Sequence, residues 1–121
     1  MSSGHSPGIQ IVRAENTTPV ILDDSGAMKS RRRIRRDMGS ERVSLNFTVI
    51  EASSEEYDSD YPEHDELMFI ISGVGEIEWE GGEPTRVSAG TAIFVPQGCR
   101  YRYRVVEAPQ QAIVVFGPAY S

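Results

Sequence analysis

The chain has 121 residues, the length of one domain and enough to bury a core without disulfide or metal staples. With 25% charged and 39% hydrophobic residues it has a globular balance, and a formal net charge of -6 excludes nucleic acid or an anionic membrane as its main partner, since those need a basic field. Cys99 is the only cysteine, which excludes an intramolecular disulfide; no apolar leader and no run of membrane-spanning length is present, so the chain reads as cytoplasmic with no membrane partner.

Residues 1–8 have the composition of a flexible N-terminus, with His5 solvated there, and 9–121 reads as a single domain. Ile9 to Val12 and Pro19 to Leu22 each suggest a short edge strand, the second closed by the turn-forming Asp23-Asp24-Ser25-Gly26. Lys29 to Arg36 is a dense basic cluster in an acidic chain. Most of it reads as a solvated face or a charge-protected edge strand. A guanidinium turned inward, however, would bind a carboxylate or phosphate bidentately. In a strand, Arg31, Arg33 and Arg35 share one face and Arg32, Ile34 and Arg36 the other. The sequence does not choose the face, and Arg33 stands as the substrate-binding candidate.

Val43 to Ile50 alternates, with Val43, Leu45, Phe47 and Val49 on one face and Ser44, Asn46 and Thr48 on the other, the pattern of a half-buried strand. An acidic loop, Glu51 to Asp60, leads into Tyr61-Pro62-Glu63-His64-Asp65-Glu66, which runs into an apolar strand ending at Gly73. Period two puts His64, Glu66, Met68 and Ile70 on one face and Leu67, Phe69 and Ile71 on the other. Val74 to Glu80 alternates Ile77 and Trp79 against Glu76, Glu78 and Glu80 before a Gly81-Gly82 hairpin turn. Gly90 to Tyr101 is a β-rich run broken by Pro96-Gln97-Gly98. Tyr101 to Val106 and Ala112 to Phe116 supply further strands, with Pro109 in the loop between them. No stretch of useful length has a helical period. The reading is all-β, about eight to ten short strands in a sandwich or barrel.

Two stretches carry a resemblance to a known family. Glu66, six residues and Gly73 resemble the second half of the first cupin motif, and Gly90, five residues and Pro96-x-Gly98 resemble the start of the second. The likeness spans roughly residues 40 to 117. It implies a small jelly-roll β-barrel with an internal pocket, commonly dimeric, often with a metal held by three histidines and a glutamate. This sequence departs from that ligand set. The first-motif histidines fall on Ser59 and Tyr61, or on Asp60 and Pro62, and the second-motif histidine falls on Tyr101, leaving Glu66 alone. Pro62-x-His64-Asp65-Glu66 is also similar to cupins of the ethanolamine-utilisation type, which lack the histidine cluster.

A transition-metal site generally needs three protein ligands, so no cofactor is favoured; the alternative is a single divalent metal on His64, Glu66 and Asp60. Without a metal, the pocket points to acid–base work. His64, titrating at about 6.5 when unperturbed, is the candidate base, Glu66 its orienting carboxylate, and Tyr101 the hydroxyl donor to a developing negative oxygen. Tyr61, Trp79, Tyr103, Met68 and Arg33 complete the substrate-binding set. The resulting expectation is a metal-independent lyase, dehydratase, isomerase or cyclase acting on a small biosynthetic intermediate. A metal-dependent cupin such as a dioxygenase, and a non-catalytic binding or sensing module, are the alternatives. Cys99 reads as core, since no base lies beside it. Arg100, Arg102 and Arg104 read as outward, pairing with Glu76 to Glu80 or with a second subunit. The outward row Leu67, Phe69 and Ile71 suggests a homodimer.

Overall fold

The computed structural model describes residues 8–22, 26–53 and 56–120. Nearly all of the N-terminal stretch 1–8 and of the turn expected at 23–26 therefore lies outside the described residues. The strands are β1 (Val20–Ile21), β2 (Met28–Ile34), β3 (Ser44–Ile50), β4 (Glu56–Ser59), β5 (Asp65–Trp79), β6 (Thr85–Val87), β7 (Ala92–Val95) and β8 (Tyr101–Gly117). Among the described residues the helical pieces are two 3₁₀ turns, Ala14–Asn16 and Arg36–Met38. The fold is all-β, as the alternation predicts.

Every pairing is antiparallel, in the order β1-β2-β3-β8-β5-β6, with β4 added to β8 and β7 to β5. The long strands β5 and β8 run through both halves of a jelly-roll barrel. In one half β3 and β7 flank the pair made by Asp65–Ser72 and Gln111–Gly117; in the other, β4 and β6 flank the pair made by Val74–Trp79 and Tyr101–Glu107. The register slips where the halves meet, with Ser72 opposite Gln111 but Val74 opposite Glu107. Gly73 sits in that bulge at φ 80°, and an added Cβ there would lie 2.5 Å from the Pro109 carbonyl oxygen. Only glycine fits such a backbone and such an approach.

Several expected boundaries differ. Ile9 to Val12 forms no strand and leaves Ile9 and Ile11 exposed. Glu56–Ser59 is a strand on β8 rather than loop, because Asp58 gains Arg102 as a partner and Tyr57 turns inward. Val74 to Trp79 continues β5, and Pro109 lies within β8 at the bulge rather than in a separating loop.

The larger difference is which face is inside. On β3 the polar residues Ser44 and Asn46 are buried, and Asn46 and Thr48 line the interior, while Leu45, Phe47 and Val49 point outward. Leu67, Phe69 and Ile71 on β5 and Phe94 on β7 are also outward and exposed. The interior on this side is thus partly polar, and the outer surface carries apolar rows.

Candidate active site

The barrel encloses a cavity of about 340 Å³, the size of a small-molecule pocket. Its apolar walls include Met68, Ile70, Val114 and Phe116, which belong to the hydrophobic core. Tyr57, Ser59, Tyr61, Tyr101 and Tyr103 bring hydroxyls to it, and Glu66 brings a carboxyl.

Glu66 is delivered by the alternation of β5, which buries Glu66, Met68 and Ile70 in turn. Only 3% of Glu66 is exposed, and its Oε1 accepts a hydrogen bond of 2.6 Å from the Tyr101 hydroxyl. Burial disfavours the carboxylate and pushes Glu66 up to about 7, against the opposing influence of the Tyr101 bond. Burial, joined by the Glu66 charge, pushes Tyr101 far above the ordinary phenol range, so its proton stays on. Tyr61 is raised to about 12 by burial and then by the charge of Glu66. Its ring packs on Phe116 at 4.8 Å and edge-on to Tyr120 at 5.4 Å. Tyr103, raised to about 12 by burial, donates to Gln110 Oε1 at 2.5 Å.

Of the candidates named from sequence, Glu66, Tyr101, Tyr61, Tyr103 and Met68 come together around this cavity. Three do not. His64 precedes the first residue of β5, so the strand's alternation does not govern it; its Nδ1 donates to the Pro118 carbonyl at 2.8 Å and its ring stands edge-on to Tyr120 and Phe116, behind the wall they form. Trp79 is on the outer surface, its ring against Gly82, in a shallow cleft with Glu78, Glu80 and Arg100. Arg33 is the extra residue where Arg32 pairs with Asn46 but Ile34 pairs with Leu45; it bonds Thr17 Oγ1 at 2.6 Å and covers the Phe47 ring. Arg32 is the arginine that lines the cavity.

The remaining basic residues are held elsewhere. Arg31 and Arg36 donate to the carbonyls of Thr17 and Ala119, and Arg35 pairs with Asp37. Arg104 pairs with Glu76 at 3.2 Å as expected, but Arg102 and Arg100 pair with Asp58 and Asp60. Cys99 is half-buried against the core. Sequence reading missed the polar wall of Ser30, Arg32, Asn46 and Gln110. Its signal was the polar face of Val43 to Ile50, which is the inward one.

The donors do not fit a transition-metal site. Among the described residues no group of three His, Cys, Asp or Glu side chains could hold a metal ion. In particular, Asp60 is taken by Arg100 and His64 faces Pro118, so the alternative set of His64, Glu66 and Asp60 is not assembled. Asp58, at the cavity mouth, is exposed and paired with Arg102. Glu66 has phenols around it, not imidazoles.

A jelly-roll barrel with an internal carboxyl–phenol pair defines a small cupin lacking the histidine cluster. The cupin domain profile matches residues 48–116, and the chain belongs to the cupin family. An uncharacterized protein of Streptomyces coelicolor is 34% identical over 80 residues, 65% of this chain and 73% of that one. KdgF from Halomonas sp. superposes with a TM-score of 0.77 at 16% identity, covering 90% of this chain and 94% of its own. Ectoine synthase from P. lautus gives 0.71 at 30% identity over 80% and 67% of the two chains. The EutQ protein of Clostridium difficile gives 0.66 at 22% over 77% and 64%, a likeness of fold. Among the described residues no helix is long and apolar enough to cross a membrane.

Proposed function

We propose that this cupin is a metal-independent enzyme of the lyase, dehydratase, isomerase or cyclase kind, moving a proton on a small intermediate held in the barrel. The observation that carries this reading is the Glu66–Tyr101 pair inside the cavity. A carboxyl raised to about 7 is half ionised at neutral pH, so it can both accept and return a proton. Glu66, rather than His64, is the base. Its carboxylate takes a proton from a carbon next to a carbonyl. Once protonated, Glu66 can donate to the Tyr101 oxygen, which frees the phenol proton to point at the oxygen where negative charge gathers. The pair thus works as a two-member relay, with Tyr61 as a second neutral hydroxyl beside it.

Identity of 30% to an ectoine synthase supports an enzyme over a sensing module. The donor set supports proton transfer over a metal-dependent reaction. A lone cysteine without a disulfide suits a cytoplasmic setting. We further infer a homodimer. The outer face of the barrel carries Leu45, Val115, Leu67 and Phe94 as one cross-strand row and Phe47, Ile113, Phe69 and Ala92 as the next. An apolar patch of this breadth marks an association surface, and a second copy of the same patch is its self-complementary partner.

The test is hydrogen–deuterium exchange at carbon in a panel of small keto and hydroxy acids, followed by NMR in heavy water with protein stripped by chelator. Wild type should catalyse exchange, and Glu66→Gln should lower it by about 10²- to 10⁴-fold. Exchange by Glu66→Gln at the wild-type rate, or its loss on chelation, overturns the reading.

A further inference from the structure

Among the described residues, four buried side-chain polar atoms lack a hydrogen-bond partner: Ser30 Oγ, Arg32 Nε, Asn46 Oδ1 and Gln110 Nε2. All four residues line the cavity, spread over three successive rows of the β2–β3–β8 sheet. Arg32 faces Asn46 across β2 and β3, Ser30 faces Thr48 one step along, and Gln110 is the β8 partner of Ile50. Val114 pairs with both Asn46 and Met68, so an apolar divider separates this strip from Glu66.

Ser30, Gln110 and Asn46 are only 1%, 2% and 6% exposed. A buried polar group left unpaired is costly, and natural proteins seldom leave several together unless something else completes them. The charge sharpens the point. Arg31, Arg33, Arg35 and Arg36 all have oxygen partners, whereas no carboxylate among the described residues pairs with Arg32. An uncompensated guanidinium beside a small cavity calls for an anion. Gln110 adds a second donor, its Oε1 being occupied by Tyr103 and its Nε2 free. Ser30 supplies a hydroxyl, and Asn46 an acceptor that suits a neighbouring hydroxyl or N–H.

We propose that this strip is an anchoring subsite for the carboxylate of a small organic acid, held by Arg32 and Gln110 Nε2, with Asn46 Oδ1 receiving a donor on the adjacent carbon. The proposal rests on reading the cavity as a substrate pocket with its chemistry at Glu66, and it makes the substrate an anion. Arg32 would hold one end of the molecule while the Glu66–Tyr101 pair meets the other across the Met68–Val114 divider.

The test is an NMR titration of ¹⁵N-labelled protein with 2-hydroxybutanoate, its primary amide and inorganic phosphate, reading the Arg32 Nε–H and Gln110 side-chain NH₂ signals. The acid should move both signals at millimolar concentration, and the amide neither. Arg32→Gln should weaken acid binding by roughly 10- to 100-fold, the range for losing a hydrogen bond to a charged group. Its melting temperature should stay level, because the half-buried Arg32 side chain has no carboxylate partner to lose. Arg32→Lys should restore part of the binding, and Glu66→Gln should retain it.

Equal binding of acid and amide, no response to the acid, response to phosphate alone, or unchanged acid binding by Arg32→Gln would each overturn the subsite. Acid binding through Arg32 without Glu66-dependent exchange would keep the subsite and remove the proton-transfer reading. Glu66-dependent exchange with acid binding indifferent to Arg32 would do the reverse.

Discussion

The Tyr101 hydroxyl reaches Glu66 Oε1 at 2.6 Å although the two residues pair with different parts of the barrel: Tyr101 lies opposite Ser59 and Trp79, Glu66 opposite Phe116 and Val95. The contact therefore closes the cavity from one sheet half to the other. It also modulates proton affinities that burial raises in both groups: the bond holds Glu66 down against burial, while at Tyr101 the nearby carboxylate adds to it.

Stability should fall with rising pH on account of Glu66. Its folded value of about 7 exceeds the ordinary 4.5, so the folded state binds the proton more tightly. The advantage is complete below about 4.5 and is lost as pH rises through about 7, a difference on the order of 3 kcal/mol. Urea unfolding of wild type and Glu66→Gln across that window checks this: the slope should be present in the first and absent in the second.

Tyr101→Phe should raise the Glu66 titration further, because the bond that favours the carboxylate disappears while burial stays. A ¹³C carboxyl titration would show the upward move. A downward move would mean that the phenol does not act on Glu66 as described. Exchange activity should fall less than in Glu66→Gln, because the base survives.

His64→Ala should leave turnover near wild type, since His64 stands behind Tyr120 and Phe116 and bonds a backbone carbonyl. Its cost should be structural, about 1 kcal/mol for one hydrogen bond, readable as a lower melting temperature. A loss of activity with an unchanged melting temperature would return His64 to the chemistry.

Gly75→Ala should damage the cavity floor. A Cβ there would overlap the Tyr103 hydroxyl and stand 2.8 Å from Gln110 Oε1. Forcing that pair apart should cost about 1–3 kcal/mol by overpacking, measurable by chemical denaturation, and should shift the Gln110 NH₂ signal.

Phe69→Lys should give a monomer with an intact barrel, as Phe69 is exposed in the middle of the outer apolar rows. Light scattering of wild type and variant checks it. A monomeric wild type at high concentration would refute the dimer.

Much of the site was legible because strand alternation is a strong rule wherever the strand has begun. Glu66, Met68 and Ile70 follow it, as do Tyr101 and Tyr103. It failed for His64, one residue before β5, where the chain is still in a turn. Among the arginines it holds as far as the bulge, since Met28, Ser30 and Arg32 all line the cavity, but alternation alone does not say which face is the inner one, and the bulge after Arg32 then resets the count. The polar face of β3 was visible as a pattern, but hydrophobicity argued for burying Leu45 and Phe47. In a barrel with a lined cavity the polar face can be the inner one, and the apolar face is left for the outer surface.

The order of synthesis gives the central strand a consequence of its own. β8 is the partner of β3, β4 and β5, yet it follows all of them in the chain. While the polypeptide is being made, β3 and β5 are complete but lack the neighbour they share, and their open edges invite pairing with other chains. Closure requires contacts such as Ser44 with Phe116, far apart in sequence, which folds slowly. The nascent chain therefore stays vulnerable until residues 101–117 leave the ribosome, and a chain ending at Arg100 should be insoluble or held by chaperones.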